Sequence, residues 1–97
     1  MSKPLTIIAI FQAAPDQTDA LAEALQGLVA PTLAETGCLN YDLHRDLEVP
    51  GRFLFFENWE TRADWDAHME SEHLLHHKAN HGDLFSEVQI FQMETTS

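Results

Sequence analysis

The chain holds a single cysteine, Cys38. One thiol cannot close an intrachain disulfide, so nothing in the composition points to an oxidising compartment. No CxxC pattern surrounds it, and a buried, inert thiol is the expected role. Positive charge is also scarce: 5 Lys+Arg face 16 Asp+Glu, a net charge of −11. That balance repels nucleic acid and anionic lipid, and it suits a small or neutral ligand. Long apolar runs are missing as well. The longest, "LTIIAIF" from Leu5 to Phe11, is far below the ~18 residues of a membrane span. It follows Lys3 and superficially imitates a signal peptide, but it is short for one and works better as a first strand. A cytoplasmic protein with no membrane partner is expected. The chain has no internal repeat, no Gly-rich phosphate loop and no dinucleotide fingerprint. Neither Cys38 nor Ser71 has a triad pattern around it.

What remains is an ordinary globular composition, with 44% hydrophobic residues over 97 positions. This size and composition predict a single domain over residues 1–97. Residues 5–13 read as a buried strand. A helix is expected next, with Asp16 as its N-cap and Leu21, Leu25, Leu28 and Leu33 as its apolar stripe. Pro31 should kink or end it, and Gly37 should supply the positive φ that closes it. In residues 38–45 Leu39, Tyr41 and Leu43 alternate with Asn40, Asp42 and His44. "DLEVPG" is a turn, "RFLFFENWE" a strand, and Thr61 with Asp64 opens a second helix. A last strand is built on Val88 and Ile90. The order β-α-β-β-α-β predicts an α+β, ferredoxin-like protomer with both helices on one face of an antiparallel sheet. Both "TIIAI" and "FLFF" are apolar on their two faces, whereas the helices cover one. A second copy of the sheet is the simplest second cover, so a homodimer is expected.

The chemistry concentrates in "ENWETRADWDAHMESEH", Glu57 to His73. Glu57 and Trp59 are two apart on a strand and share the side of Phe53 and Phe55. If that side faces the helices, a carboxylate sits in apolar surroundings, where it must find a partner or hold its proton. The plainer alternative is an exposed Glu57 at a fraying strand end beside a core Trp59. His68 shares a helix face with Trp65, which makes that indole a candidate pocket wall; a satisfied core histidine is the alternative role for His68. His68 and His73 are five apart, about 140° of rotation on an unbroken helix, and would diverge. Ser71 followed by Glu72 is, however, a good helix start, and a break there would let the two imidazoles converge. The pairs His73/His77 and His77/His81 have zinc-chelating spacing, but without HExxH a histidine-rich helix generates such pairs by chance, and no metal site is assigned.

"GCLNY", "ENWE" and "AHMESEH", with the element order, make the chain similar to the antibiotic biosynthesis monooxygenase family, including its small quinol monooxygenases. The resemblance spans nearly the whole chain. It implies a dimeric α/β barrel and the oxygenation of a quinol, phenol or anthrone-type aromatic by dioxygen as co-substrate, with no flavin, haem or metal cofactor. In that setting His68 is the first candidate for proton transfer or for holding the substrate oxygen, and His73 the second. Glu57 orients an imidazole, and Trp59 walls the pocket or stacks on a ring. Asn40 and Tyr41 face opposite sides, so at most one of them lines the pocket. The haem-degrading branch is disfavoured: Lys78 stands where its haem-ligating histidine would be, and the asparagine expected on the first strand is missing. Two alternatives stay open, an isomerase of small hydroxy-carbonyl compounds using the same groups, and a non-catalytic dimeric small-molecule-binding or stress-response protein.

Overall fold

A computed structural model describes residues 3–97. Four strands, β1 (Leu5–Ala13), β2 (Cys38–Arg45), β3 (Arg52–Trp59) and β4 (Phe85–Met93), form one antiparallel sheet in the order β2-β3-β1-β4. The helices are α1 (Thr18–Gln26), α2 (Val29–Leu33), α3 (Arg62–Met69) and α4 (Glu72–His81). This is the expected ferredoxin-like order with each helix divided in two. None of the helices among the described residues is long and apolar enough to cross a membrane.

The strand register sorts the side chains into two faces. Ile7, Ala9, Phe53, Phe55, Glu57, Trp59 and Tyr41 point towards the helices and are buried. Leu21, Leu25, Leu28 and Leu74 pack onto them and complete the core. Burial of this apolar surface is the main stabilising term. On the opposite face Ile8 pairs with Phe56 and Phe91, and Ile10 with Leu54. Phe56 and Phe91 are exposed there, so this face is apolar at its centre and no helix among the described residues covers it.

Three local expectations are corrected. Asp16 does not cap α1; the cap position is Gln17, without a side-chain bond. Asp16 instead has φ 64° and follows Pro15 in a turn closed by the Gln17 amide on the Ala14 carbonyl. Proline followed by a residue of positive φ is the type II arrangement, and aspartate tolerates it. The first helix breaks at Gly27–Leu28, ahead of Pro31, which lies in the first turn of α2 where its missing N–H costs little. Leu39 leaves the alternation. A register shift between Cys38 and Asn40 places it in a bulge, so Cys38 rather than Leu39 shares the inner face with Tyr41, and Leu39 is half exposed.

Gly37 turns the chain from α2 into β2 with φ 81°. A Cβ there would lie 2.0 Å from Asp64 Oδ2. Only glycine lets this loop press against α3, and that contact brings the preceding Glu35 to the site.

Candidate active site

The break between the last two helices occurs where the capping chemistry placed it. Thr61 Oγ1 accepts the Asp64 amide and starts α3. The helix stops at Met69, and Ser71 Oγ accepts the Leu74 amide to start α4. The restart swings His73 back, so the His68 and His73 ring centres are 6.1 Å apart.

What joins them is Glu35, a loop residue that the sequence reading passed over. Its Oε2 is 2.8 Å from His68 Nδ1 and 2.8 Å from His73 Nε2. Thr32 Oγ1, at 3.1 Å, and Ser71 Oγ, at 3.4 Å, also approach His73 Nε2. With Nδ1 donating to Glu35, His68 holds its proton there and its Nε2 is the free base. Burial holds the imidazole below the usual histidine range against the opposing pull of Glu35, and His73 and Lys78 depress it further. His68 is therefore neutral at neutral pH.

Glu57 is buried, at 3% exposure, not frayed at a strand end. Trp59 Nε1 donates to its Oε1 at 3.0 Å. Burial raises the carboxyl to about 7; the indole bond opposes this, and Glu35 adds to it. The expectation that Glu57 orients an imidazole is thus corrected: Glu35 holds that position. Burial, followed by the charge of Glu57, likewise raises the Tyr41 phenol far above its usual range. Cys38 is pushed to about 11 by burial and by the carboxylates of Glu35, Glu57 and Asp42, so it stays an unreactive thiol.

These groups meet at a cavity of about 210 Å³ between sheet and helices. Tyr41, Glu57, Trp65 and His68 line it, with Phe11, Phe55 and Met69 as apolar wall. Trp59 does not. It is fully buried behind the site and tilted over His68, ring centres 4.8 Å apart, so it supports the imidazole and does not wall the pocket. His73 lies outside the cavity and braces Glu35. Asn40 is on the far face of the sheet, bonded to Asn58, Asp42 and the Phe56 carbonyl, and is removed from the pocket. Of the pair Asn40 and Tyr41, Tyr41 is the pocket residue.

Among the described residues, Glu35, His68 and His73 are the group whose ligand atoms lie close enough to hold a metal ion. Their nitrogens already converge on one carboxylate oxygen, an arrangement that satisfies both rings without an ion.

Known proteins place the chain. The profile of the antibiotic biosynthesis monooxygenase family matches residues 4–80. The chain is similar to the crystal structure of PA3566 from Pseudomonas aeruginosa, with TM-score 0.94 and 40% identity over 100% of this chain and 98% of that one. Rv0793 of Mycobacterium tuberculosis, provisionally named a monooxygenase, is 36% identical over 86 residues, 89% of this chain and 84% of that protein. Its structure superposes with TM-score 0.89, covering 97% of this chain and 96% of the other. A further structure, described as an antibiotic biosynthesis monooxygenase, is 30% identical with TM-score 0.87, over 96% of this chain and 99% of its own. By extent and identity, the chain belongs to the antibiotic biosynthesis monooxygenase family.

Proposed function

We propose that the protein is a cofactor-independent monooxygenase that oxidises a single-ring hydroquinone or phenol with dioxygen. The observation that carries the reading is the pairing, in one small apolar cavity, of a neutral imidazole braced by a carboxylate with a second carboxyl near 7. Such groups can take a phenolic proton at neutral pH, because the imidazole is neutral with Nε2 open to accept and the Glu57 carboxyl is raised to about 7. The resulting anion is electron-rich enough to reduce dioxygen itself. For a hydroquinone, one oxygen atom enters the ring and the other leaves as water, the product being a hydroxyquinone; the substrate supplies all the electrons. His68 Nε2 is the proposed base, Glu57 the proposed second proton carrier, and Tyr41 and Trp65 the ring contacts.

Size narrows the substrate. A cavity of ~150 Å³ holds benzene, whereas drug-sized ligands need ~300 Å³ or more. At about 210 Å³ this site fits one substituted ring. That favours a hydroquinone over a three-ring anthrone, and it leaves no room for a flavin or haem beside the substrate. An oxygen electrode is the direct test. Metal-free protein should consume oxygen with a single-ring hydroquinone faster than the autoxidation blank. No consumption across a panel of hydroquinones and phenols would sink the reading. An isomerase would instead wash deuterium from the solvent into a hydroxy-ketone without using oxygen.

The proposed working unit is a homodimer. The uncovered sheet face, with Ile8, Ile10, Leu54, Phe56 and Phe91, supplies an apolar patch that a second copy would bury. Sedimentation equilibrium should return twice the 11.0 kDa chain mass. The Phe56→Glu substitution should shift the protein towards monomer, and a monomeric wild type would contradict the arrangement.

A further inference from the structure

Two features on α4 are not used by the proton-transfer site. The first is Lys78. The chain has 5 Lys+Arg residues. Among the described residues, Lys3 bonds the Thr95 carbonyl, Arg45 lies over the Phe53 ring, Arg52 pairs with Asp46 and Arg62 bonds Gln92. Lys78 has no such partner, yet it lines the cavity. It is exposed, as are its fellow lining residues Val88 and Ile90, so it stands where the cavity meets solvent along β4. Its charge is felt at His68, whose proton affinity it lowers.

The second feature is His77. It lines the same cavity, is 3% exposed, and its Nε2 is buried with no hydrogen-bond partner among the described residues. An unpaired buried polar atom costs free energy until something pairs with it. The ring lies among aromatic neighbours, parallel to Phe85 with centres 6.4 Å apart and edge-on to Phe11 at 6.5 Å. A run of aromatic contacts, His68 to Tyr41, Tyr41 to Phe55, Phe55 to Phe11 and Phe11 to His77, links the proton-transfer groups to this ring. The cavity therefore has two sets of polar groups, His68 with Glu57 and His77 with Lys78, on an otherwise apolar aromatic wall.

We infer that Lys78 and His77 form an anion-anchoring end of the substrate site, and that the substrate is a hydroxylated ring carrying a carboxylate. This rests on the cavity being the substrate site. The ammonium would pair with the carboxylate, a charge-assisted contact stronger than a neutral one, and the imidazole would add its Nε2–H once the ring turns that buried atom to the cavity. His68 and Glu57 then receive the ring hydroxyl. A protein of charge −11 repels anions at long range, so selecting one needs a local cation at the entrance. Lys78 is the one Lys or Arg that lines this cavity.

The test is binding, not turnover. Gentisate and gentisamide share a hydroquinone ring of nearly the same size and differ in charge. Their affinities are measured under nitrogen by calorimetry, so that no oxidation is needed. Gentisate should bind wild-type protein about tenfold more tightly than the amide, the scale of one charged hydrogen bond. Lys78→Met should abolish that preference, Lys78→Arg should retain it, and His77→Phe, which keeps the aromatic packing, should weaken gentisate selectively. Equal binding of acid and amide, or a preference that survives Lys78→Met, overturns the inference while leaving the cavity as a ring site. No binding of either probe removes the substrate-site reading as well.

Discussion

Replacing His68 with alanine should lower hydroquinone turnover by about 10²- to 10⁴-fold, the usual contribution of a positioned proton-transfer group. The geometry sets the expectation. Glu35 fixes the proton on Nδ1, Trp59 lies across the ring, and Nε2 is left as the acceptor. The loss should fall mainly on kcat, because Tyr41, Trp65 and the apolar wall, the proposed ring contacts, remain in place. The substitution also leaves a void among buried aromatic rings, and destabilisation by about 1–3 kcal/mol is expected. Rates must therefore be referred to folded protein, from circular dichroism on the same samples. Unchanged turnover with lowered stability would make His68 a core residue.

The second large effect is at Glu57, and it is read in stability. Its carboxyl titrates at about 7 in the fold against an ordinary 4.5. Below about pH 4.5 both folded and unfolded chains hold the proton, and this group is at its most favourable for the fold. As the pH rises from there to about 7, the unfolded chain releases its proton while the folded chain retains it. Stability is lost through that window and levels off above it. At 1.36 kcal/mol per unit, the loss is at most about 3 kcal/mol. Glu57→Gln keeps an oxygen to accept the Trp59 N–H and has no proton to lose. It should match wild type near pH 4 and exceed it by up to about 3 kcal/mol near pH 8, in urea unfolding at fixed protein concentration. If Glu57 carries a proton in the reaction, the same variant is slower. A more stable, less active protein is the combined signature. A stability difference that does not vary with pH would show that the carboxyl titrates normally.

The parts of this site that could be read in the sequence are those governed by local rules. The Ser71-Glu72 start signal is a short-range capping preference, and it correctly split the last helix so that His68 and His73 converge. Strand alternation placed Glu57 on the face of Phe53 and Phe55. Glu35 follows no such rule. It lies in a loop with no periodicity, and its role comes from contacts to residues 33 and 38 positions away. The only local hint was Gly37, read there as a helix terminator although it also permits close approach to Asp64. Leu39 illustrates a different failure: one bulged residue reverses the parity of an alternating pattern without changing its appearance. Asn40 and Trp59 were the right residue types in the right strands. The far face claimed the first, and the layer behind the imidazole claimed the second.

The single Glu35 oxygen shared by two imidazoles bears on how this chain can vary. Surface loops ordinarily absorb insertions and deletions at little cost. The link from α2 to β2 cannot, because its length sets where a carboxylate meets two helices at once. One added residue would detach His68 from its tautomer-setting partner while leaving every helix and strand intact. Length variation here would therefore separate members that keep only the fold from members that also keep the carboxylate-braced imidazole.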